Sequence, residues 1–546
     1  MKREQPKKKG DTPNPAKREG GWPFVGLDGI QRADCQIGAR RTSLIPPSLR
    51  IRAARVSKRS LLFTLSLLFL SGCMVGPNYT RPAVPTTPQF KESGPTTFKE
   101  MDGWKTAQPN DQTIRGNWWE LFNDPQLNAL EEQIDPANQT LKAAAANFNA
   151  ARAAIRVSRS NQAPTVSTNP SVGAERVSAN EPYFNQALAN NGVGNFSLPF
   201  DLNYEVDLWG RIRRSVASAG EQAQASAADK ETIRLSLHAE LAVDYFELRS
   251  ADAQEKLLRD TVTAYRDALR LTQDRYDGGA SPLSDVAQAR TQLEAALVQQ
   301  TDVTVQRAQY EHAIAVLIGK PPAAVNIPPT PLTIQAPELP GIPGLVPSQL
   351  LERRPDIAAE ERRMASANEQ IGIAEAAYYP TLSLSAVAGF AGTSALNWFT
   401  WPSRLWAVGP MMSETLFDHG LRRGNEEIAR SNYDATVANY RQSVLTAFQQ
   451  VEDNLAALRQ LEIEAGQQHL ATDSAEQSLS LFTTRYEGGV DTYLQVITWQ
   501  TSALQNQRND IDILRRRLEA SVLLVKAVGG GWDSSRLPQV ASLKRN

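Results

Sequence analysis

Residues 258–279, LRDTVTAYRDALRLTQDRYDGG, decide the fold because they combine a coiled-coil seam with a sharp helix stop. The seam side chains are spaced alternately four and three residues apart: Leu258, Val262, Tyr265, Leu269, Thr272 and Tyr276. This spacing is typical of a helix that buries one stripe against a neighbouring helix. Gly278 and Gly279 then end the helix, since glycine adopts the left-handed backbone that a helix end often needs.

The helix that leads to this turn is unusually long. No proline occurs from 210 to 277, and alanine, leucine, glutamine and charged residues dominate the stretch. Such a helix would extend ~100 Å at 1.5 Å per residue, well beyond the usual length in globular proteins. A second helix is predicted at 281–319, so the two would form a hairpin. A filamentous coiled coil is the alternative for such helices alone, but the strands and export signal described below disfavour it.

The second half of the chain repeats this plan. RYDGG at 275–279 recurs 210 residues later as RYEGG at 485–489, and Gly210 corresponds to Gly420. A period this long indicates a duplicated half rather than a solenoid unit. We predict two structural repeats, at 118–320 and 348–528, joined by a linker at 321–347 that contains nine prolines. The remaining predicted helices are 126–160, 348–378, 420–487 and 491–528.

Each repeat also carries two candidate strands ahead of its long helix. The clearest spans 195–208, where apolar side chains alternate with polar ones, the period of a two-faced strand. The other candidates are 165–177, 381–391 and 405–417. The predicted fold class is therefore mixed α and β.

The N-terminal region carries an export signal. The apolar run LLFTLSLLFL at 61–70 follows two basic residues and precedes Ser71-Gly72-Cys73. About ten apolar residues are too few to span a bilayer, which takes roughly 20, but they suit a signal peptide. LSGC resembles the lipobox of bacterial lipoproteins, which implies that a signal at 57–72 is removed and Cys73 is lipidated. The alternative is a buried helix with an ordinary core thiol.

The segments around this signal are less informative. Residues 1–56 are basic and proline-rich, and we expect a misassigned or unstructured extension there, with a cytoplasmic extension as the alternative. Residues 73–117 are expected to form an extended segment with equatorial contacts, and 529–546 a C-terminal tail.

Composition argues against several functional classes. The part of the chain from Cys73 onward has 43 basic and 54 acidic side chains, so it lacks the positive surface that nucleic-acid binding requires. Its four histidines are scattered, and no Cys/His cluster or phosphate-binding loop is present. We expect no enzyme activity, no metal and no cofactor apart from the lipid on Cys73.

The strands can cross a membrane only with help from other chains. Within lipid, only helices and closed barrels satisfy their backbone polar groups, and no segment after Cys73 is apolar enough for a membrane helix. Four strands cannot close a barrel, since known barrels need about eight. A dimer would supply about eight strands and a trimer about twelve. An ordinary sandwich strand remains the alternative for 195–208.

Longer motifs resemble those of the TolC-like outer-membrane factors. These are CMVGPNYTRP at 73–82, WWELFNDPQLNAL at 118–130, LLERRPDIAAEERRMASANEQIGIAEAAYYPTLSLSA at 350–386 and KAVGGGW at 526–532. The resemblance spans 73 to about 532 and points to the NodT-type lipoprotein branch that serves resistance-nodulation-division (RND) efflux pumps. It implies a homotrimer: a membrane β-barrel with four strands per protomer, continuous with a long periplasmic α-helical barrel, and a small equatorial domain.

The same resemblance implies a function and partners. The chain would be the outer-membrane channel of a tripartite efflux pump, passively conducting drugs or other toxic compounds. Its partners would be a periplasmic adaptor, an inner-membrane RND pump and outer-membrane lipid, and it would be lipid-anchored in the outer membrane with its helices in the periplasm. The alternatives are a type I protein secretion duct and a non-conducting structural lipoprotein that spans the periplasm.

The resemblance also suggests site residues. The turns would form periplasmic tips where the family docks its adaptor and narrows its channel; their glycines are Gly278, Gly279, Gly488 and Gly489. In this branch an apolar residue, an aspartate and an arginine after the second turn constrict the aperture. The corresponding residues are Leu494, Thr498 and Thr501, so the charged part is missing. Asp491 or Asp285 is an alternative source of negative charge.

Overall fold

The computed structural model describes residues 74–84, 90–92, 116–176, 178, 180, 192–332 and 350–543. Contacts divide the chain into residues 1–66 and 67–546, and every described residue belongs to the second unit. The predicted extension 1–56, the signal 57–72, Cys73 and the linker from 333 to 347 lie outside the described residues.

The described chain is mainly helical, with one antiparallel sheet. Its elements, in chain order, are α1 (Pro125–Glu131), α2 (Ile134–Ala137), α3 (Gln139–Ser160), β1 (Thr165–Thr168), β2 (Ser171–Glu175), β3 (Val193–Val206), α4 (Arg211–Asp277), α5 (Leu283–Leu317), α6 (Leu350–Arg353), α7 (Pro355–Ala376), β4 (Thr381–Gly392), β5 (Arg404–Ser413), α8 (Leu421–Glu487), α9 (Tyr493–Ala527) and α10 (Val540–Leu543).

The two longest helices have matching lengths. α4 and α8 contain 67 residues each, and the helices that return from them, α5 and α9, contain 35 each. Gly210 and Gly420 precede the long helices with φ of 86° and 89°, a backbone that glycine adopts without strain. Both long helices therefore start beside the sheet and end at a glycine turn.

The sheet departs from the prediction at its first strand. β3 pairs with β4, and β4 pairs with β5, whereas β1 and β2 both pair with β3. The predicted single strand 165–177 is therefore two pieces, separated at Asn169-Pro170, because proline has no N–H to donate to the ladder. The strands predicted at 195–208 and 405–417 lie at Val193–Val206 and Arg404–Ser413.

Two predicted helices are also divided. The helix predicted at 126–160 comprises α1, α2 and α3, and Asn138 starts α3 by accepting a 3.0 Å hydrogen bond from the Leu141 N–H. The helix predicted at 348–378 breaks at Arg354, because Pro355 suits a first helical turn but not a helix interior. The Arg354 guanidinium bonds the Asp356 carboxylate at 2.6 Å and the Ala527 carbonyl at 2.9 Å.

The main core lies where both long helices meet the N-terminal helices. α4 packs against α3, α5, α7 and α9, while α8 packs against α7 and α9. Fully buried side chains from each part fill this core: Trp118, Leu127, Tyr245, Ile314, Leu458 and Val525. No helix in the described part of the chain is both long enough and apolar enough to cross a membrane.

Residues 74–84, here called the strap, are clamped beside the sheet. The Val75 N–H donates to the Trp209 carbonyl at 3.0 Å. The buried Arg214 guanidinium donates to the carbonyls of Val75 and Gly76 at 2.6 and 3.0 Å and pairs with Glu369 at 2.8 Å. Gly76 has φ of 102°, and a Cβ there would lie 2.5 Å from the Gly372 Cα.

We predict that Gly76→Ala destabilises the protein more than Gly116→Ala. Gly116 also has positive φ but no atom within 4 Å of an added Cβ, so both variants carry backbone strain and only Gly76→Ala adds the clash. The expected extra loss is about 1–3 kcal/mol. Thermal unfolding followed by circular dichroism measures this loss of stability. Equal unfolding midpoints for the two variants would contradict the close contact between Gly76 and Gly372.

Candidate functional site

The turns at the far ends of the long helices have nearly identical geometry. At the first turn, the N–H groups of Gly278 and Gly279 donate to carbonyls of the preceding helix at 3.0 and 2.9 Å; at the second, Gly488 and Gly489 do so at 2.9 and 3.0 Å. Gly279 and Gly489 have φ of 69° and 74°, where a side chain would be strained. All four predicted tip glycines therefore lie in the turns.

The three aperture candidates share one exposed face of α9. Leu494, Thr498 and Thr501 are four and three residues apart, which places them on one side of a helix. The Thr498 hydroxyl donates to the Leu494 carbonyl at 2.9 Å, so it is paired within its own helix. The face is therefore uncharged at these positions, with one apolar and two hydroxyl side chains.

Arg275 joins the two turns. Nη1 of Arg275 donates to the carbonyls of Tyr486 and Glu487 at 3.1 and 3.3 Å, and its guanidinium lies 4.7 Å from the centre of the Tyr486 ring. These contacts, here called the tip clasp, link residues separated by more than 200 positions in sequence. They are charge-assisted hydrogen bonds to carbonyls at the helix end, and the Tyr486 carbonyl also accepts the N–H of Gly489.

Arg485, the corresponding arginine of the second turn, pairs within its own hairpin and does not reach across to the other turn. Arg485 pairs with Asp491 at 2.6 Å within its own hairpin and is largely exposed. Asp491 is therefore neutralised locally. Within the described residues the Asp285 carboxylate has no ion pair and accepts a long hydrogen bond of 3.5 Å from the Ser284 hydroxyl. Of the two acidic alternatives, Asp285 is the better source of negative charge.

Aromatic side chains stabilise the second turn. Tyr486 and Tyr493 are buried with ring centres 5.2 Å apart, and Phe482 stacks on Trp499 at 5.7 Å. Burial raises the pKa of Tyr493 to about 12. Sequence reasoning used the repeated RY motif only to place the turns and missed the roles of its arginine and tyrosine, although their recurrence before both glycine pairs was a usable signal.

The lipidation candidate Cys73 lies outside the described residues, but its neighbour is well placed. Met74 is half exposed at the corner between β3 and α4, and its Cα would lie 3.1 Å from a Cβ on Gly210. The adjoining Trp209 stacks on Tyr379 with ring centres 4.8 Å apart. The strap thus starts at the end of the sheet.

Two helices expose apolar stripes that other described residues do not cover. On α5 the stripe contains Val298, Val305 and Val316, and on α8 it contains Leu445, Ile463, Leu470 and Leu481. Spacings of 7, 11 and 18 residues return to nearly the same side of a helix, so each set forms a continuous line. In the described residues no group of three His, Cys, Asp or Glu side chains could hold a metal ion.

Comparisons with known proteins agree on one family. The family described as "Outer membrane efflux protein" matches residues 132–320 and 346–530. The probable efflux pump outer membrane protein SepC of Pseudomonas putida is 32% identical over 470 residues, 85% of this chain and 95% of that protein. The solvent efflux pump outer membrane protein SrpC of Pseudomonas putida is 31% identical over 476 residues, covering 86% and 98%.

Solved structures share the fold. The Campylobacter jejuni CmeC outer membrane channel superimposes with a TM-score of 0.76 over 85% of this chain and 96% of that chain, at 23% sequence identity. At this identity the likeness concerns the fold alone.

We predict that Arg275→Ala loosens the second turn whereas Arg485→Ala does not. Loss of charge-assisted hydrogen bonds to the Tyr486 and Glu487 carbonyls removes about 1.5–3 kcal/mol, roughly a 10- to 100-fold faster local opening. Hydrogen–deuterium exchange of peptides covering 483–496 measures this change. Similar exchange in the two variants would mean that the tip clasp does not hold the turn.

Proposed function

Because the chain belongs to the outer membrane efflux protein family, we propose that several copies of it form the outer-membrane channel of a tripartite efflux pump. The channel passively conducts small toxic molecules that an inner-membrane RND-type pump and a periplasmic adaptor deliver. The chain itself performs no catalysis in this scheme, and the partner pump supplies the energy.

The observation that carries this proposal is the arrangement of the long helices. α4 and α8 both leave the same sheet and extend ~100 Å to glycine turns. A sheet at one end suits the outer membrane, and rods of this length suit a duct that reaches through the periplasm toward a partner. The turns, with the tip clasp between them, are the proposed docking and gating end.

The sheet supports the participation of several copies. β5 is an edge strand within the described residues, and its exposed side chains include Trp406, Val408 and Met411. An exposed apolar edge is a liability unless another strand covers it. We propose that three copies pair their edges into one barrel. Each copy contributes four strands if β1 and β2, which both pair with β3, count as one interrupted strand.

The apolar stripes on α5 and α8 support the same assembly at the level of the helices. Each stripe lies on a helix that has no further described neighbour on that side. Burial of an aliphatic side chain lowers the free energy of the assembly by about 1.5–3 kcal/mol. Contact between copies along both stripes therefore favours a closed ring. We propose that α5 of one protomer packs on α8 of the next.

The position of Met74 supports lipid anchoring. A lipid on Cys73 would enter the bilayer at the strand ends, beside the aromatic pair of Trp209 and Tyr379. Aromatic side chains are favoured at this interfacial depth. The strap then connects the anchor to the helices through Arg214.

We predict that the purified protein forms ion-conducting pores in planar bilayers and that Thr498→Asp raises their cation selectivity. A ring of carboxylates on the exposed face of α9 attracts cations. We expect the ratio of cation to anion permeability to rise about twofold or more. Thr484→Asp, at an exposed threonine of α8 near the same turn, is the control. Absence of any pore would favour a non-conducting structural lipoprotein, and equal selectivity in both variants would remove Thr498 from the aperture.

We predict that Val305→Glu increases the monomer fraction, since it places a charge in the proposed contact between α5 and α8. Thr304→Glu, exposed but about 100° away around the helix, should assemble normally. Light scattering coupled to size-exclusion chromatography in detergent measures the mass of each. Assembly of Val305→Glu like the wild type would place the stripe outside the interface.

A further inference from the structure

One face of the sheet, here called the apolar face, is apolar over most of its length. Residues directly opposite each other in an antiparallel sheet point to the same face. On this face β4 and β5 contribute the pairs Leu382 with Met412, Leu384 with Pro410, Ala386 with Val408, and Ala388 with Trp406. β3 extends it with Leu198, Phe200, Leu202 and Tyr204, whereas Asp201 and Asn203 point to the other face.

Arg404 lies on the apolar face at the end of the sheet that is away from the long helices. It is the first residue of β5, whose other end leads into α8, and it lies opposite Phe390 in the same series of pairs. It is also the only charged residue from 376 to 413. On the lipid-facing side of a barrel, arginine is costly at the middle of the membrane and tolerated near its surface. The position of Arg404 therefore suits the surface level.

The loop between β4 and β5 is aromatic and folds back over the apolar face. The Phe399 ring centre lies 5.7 Å from that of Phe390, and the Trp398 ring centre lies 5.5 Å from that of Phe196. Trp398 and Phe399 stack on each other at 4.7 Å. Aromatic side chains are favoured where a membrane meets water. This end of the sheet thus has the composition of a membrane interface.

The Arg404 guanidinium is held in place but is not neutralised. Its Nε atom donates to the Trp401 carbonyl at 2.8 Å, and the group lies over the exposed Trp401 ring. Within the described residues Arg404 forms no ion pair, and its Nη1 and Nη2 atoms have no acceptor. A guanidinium with two free terminal nitrogens matches the oxygens of a phosphate group.

We propose that Arg404 and the apolar face bind a phosphorylated lipid of the outer leaflet, with the phosphate on the guanidinium and an acyl chain along Trp406 and Val408. This inference rests on the proposed function, because it takes the sheet as the part of the channel within the outer membrane. The face extends from Leu382 to Phe390, about 26 Å along the strand, close to the ~25 Å apolar band of a barrel. Arg404 then lies at the level of the lipid phosphates.

Two other occupants fit this surface less well. A second copy that pairs with β5 would use the backbone groups at the strand edge, which leaves the apolar face open. A free phosphate ion would meet a single cation, since β4, the loop and β5 contain no charged residue besides Arg404. One cation at the end of a long apolar surface selects a lipid over a soluble anion.

The test is native mass spectrometry of the purified full chain in non-ionic detergent, titrated with phosphatidic acid. Diacylglycerol with the same acyl chains is the matched ligand without a phosphate. The wild type should bind phosphatidic acid about tenfold or more tightly than diacylglycerol, since the charge-assisted hydrogen bonds are lost with the phosphate. Arg404→Gln should remove this preference and leave the affinity for diacylglycerol unchanged.

Two further variants separate the site from general charge attraction. Arg404→Lys keeps the positive charge and should stay within about threefold of the wild-type affinity for phosphatidic acid. Arg176→Gln removes another exposed arginine, which follows β2 at the same end of the sheet and has no aromatic contact among the described residues. This variant should bind phosphatidic acid like the wild type.

Several results would overturn the proposal: equal wild-type affinity for the two lipids, equal losses in Arg404→Gln and Arg176→Gln, or full displacement of phosphatidic acid by inorganic phosphate. An Arg404→Gln variant with a lower unfolding midpoint and unchanged lipid preference would show that Arg404 only holds the loop.

Planar-bilayer recordings on the same wild-type preparation separate this inference from the duct hypothesis. Normal pores without a preference for phosphatidic acid would remove only the lipid site at Arg404. Selective binding of phosphatidic acid without pores would support the lipid site and remove only the duct.

Discussion

Burial of the seams on the long helices is the constraint on which the rest of the structure depends. A helix of 67 residues gains little from its backbone hydrogen bonds in water, so its stability comes mainly from packing an apolar face. α4 meets this need by packing against four other helices, and the strap, α3 and α7 gather around its first half. The second half relies on α5 and α9 and carries only a narrow seam, including Leu258, Val262 and Tyr265. The main core therefore lies at mid-length of α4, around residues 237–248, and the end at the turns is slender.

The two halves differ in burial although their helices match in length. α4 has 27 buried residues, whereas α8 has 11 and exposes the aliphatic stripe that includes Ile463 and Leu470. The difference arises because the N-terminal helices and the strap cover α4, while one face of α8 has no described neighbour. The same difference appears at the turns, where Arg275 reaches across to the other hairpin and Arg485 remains within its own. Equivalent sequence positions thus have different roles, which agrees with the proposed assembly of several copies.

Some buried polar groups on the helices hold segments together, whereas others have an atom without a hydrogen-bond partner. Arg214 and Arg354 are buried, and their donors are used on carbonyls and carboxylates of other segments, so their charge is compensated. Asp510 is the contrasting case, because it is equally hidden and one of its oxygens has no donor. A buried carboxylate oxygen without a donor destabilises the folded protein.

The sequence by itself determined the long helices, the glycine turns, the strand segments and the resemblance to outer-membrane factors. These depend on local rules: a seam spacing that repeats within a few residues, the freedom of glycine at positive φ, and the alternation of a strand. The predicted strand 165–177 and the predicted helix 348–378 ran through Asn169-Pro170 and Arg354. Whether one proline ends an element depends on the residues packed around it, which the sequence does not show. Only the tertiary structure decided that Arg275 holds the carbonyls of the opposite turn and that Arg214 clamps the strap. Each joins residues that are far apart in sequence, and no local pattern specifies which distant atoms will meet.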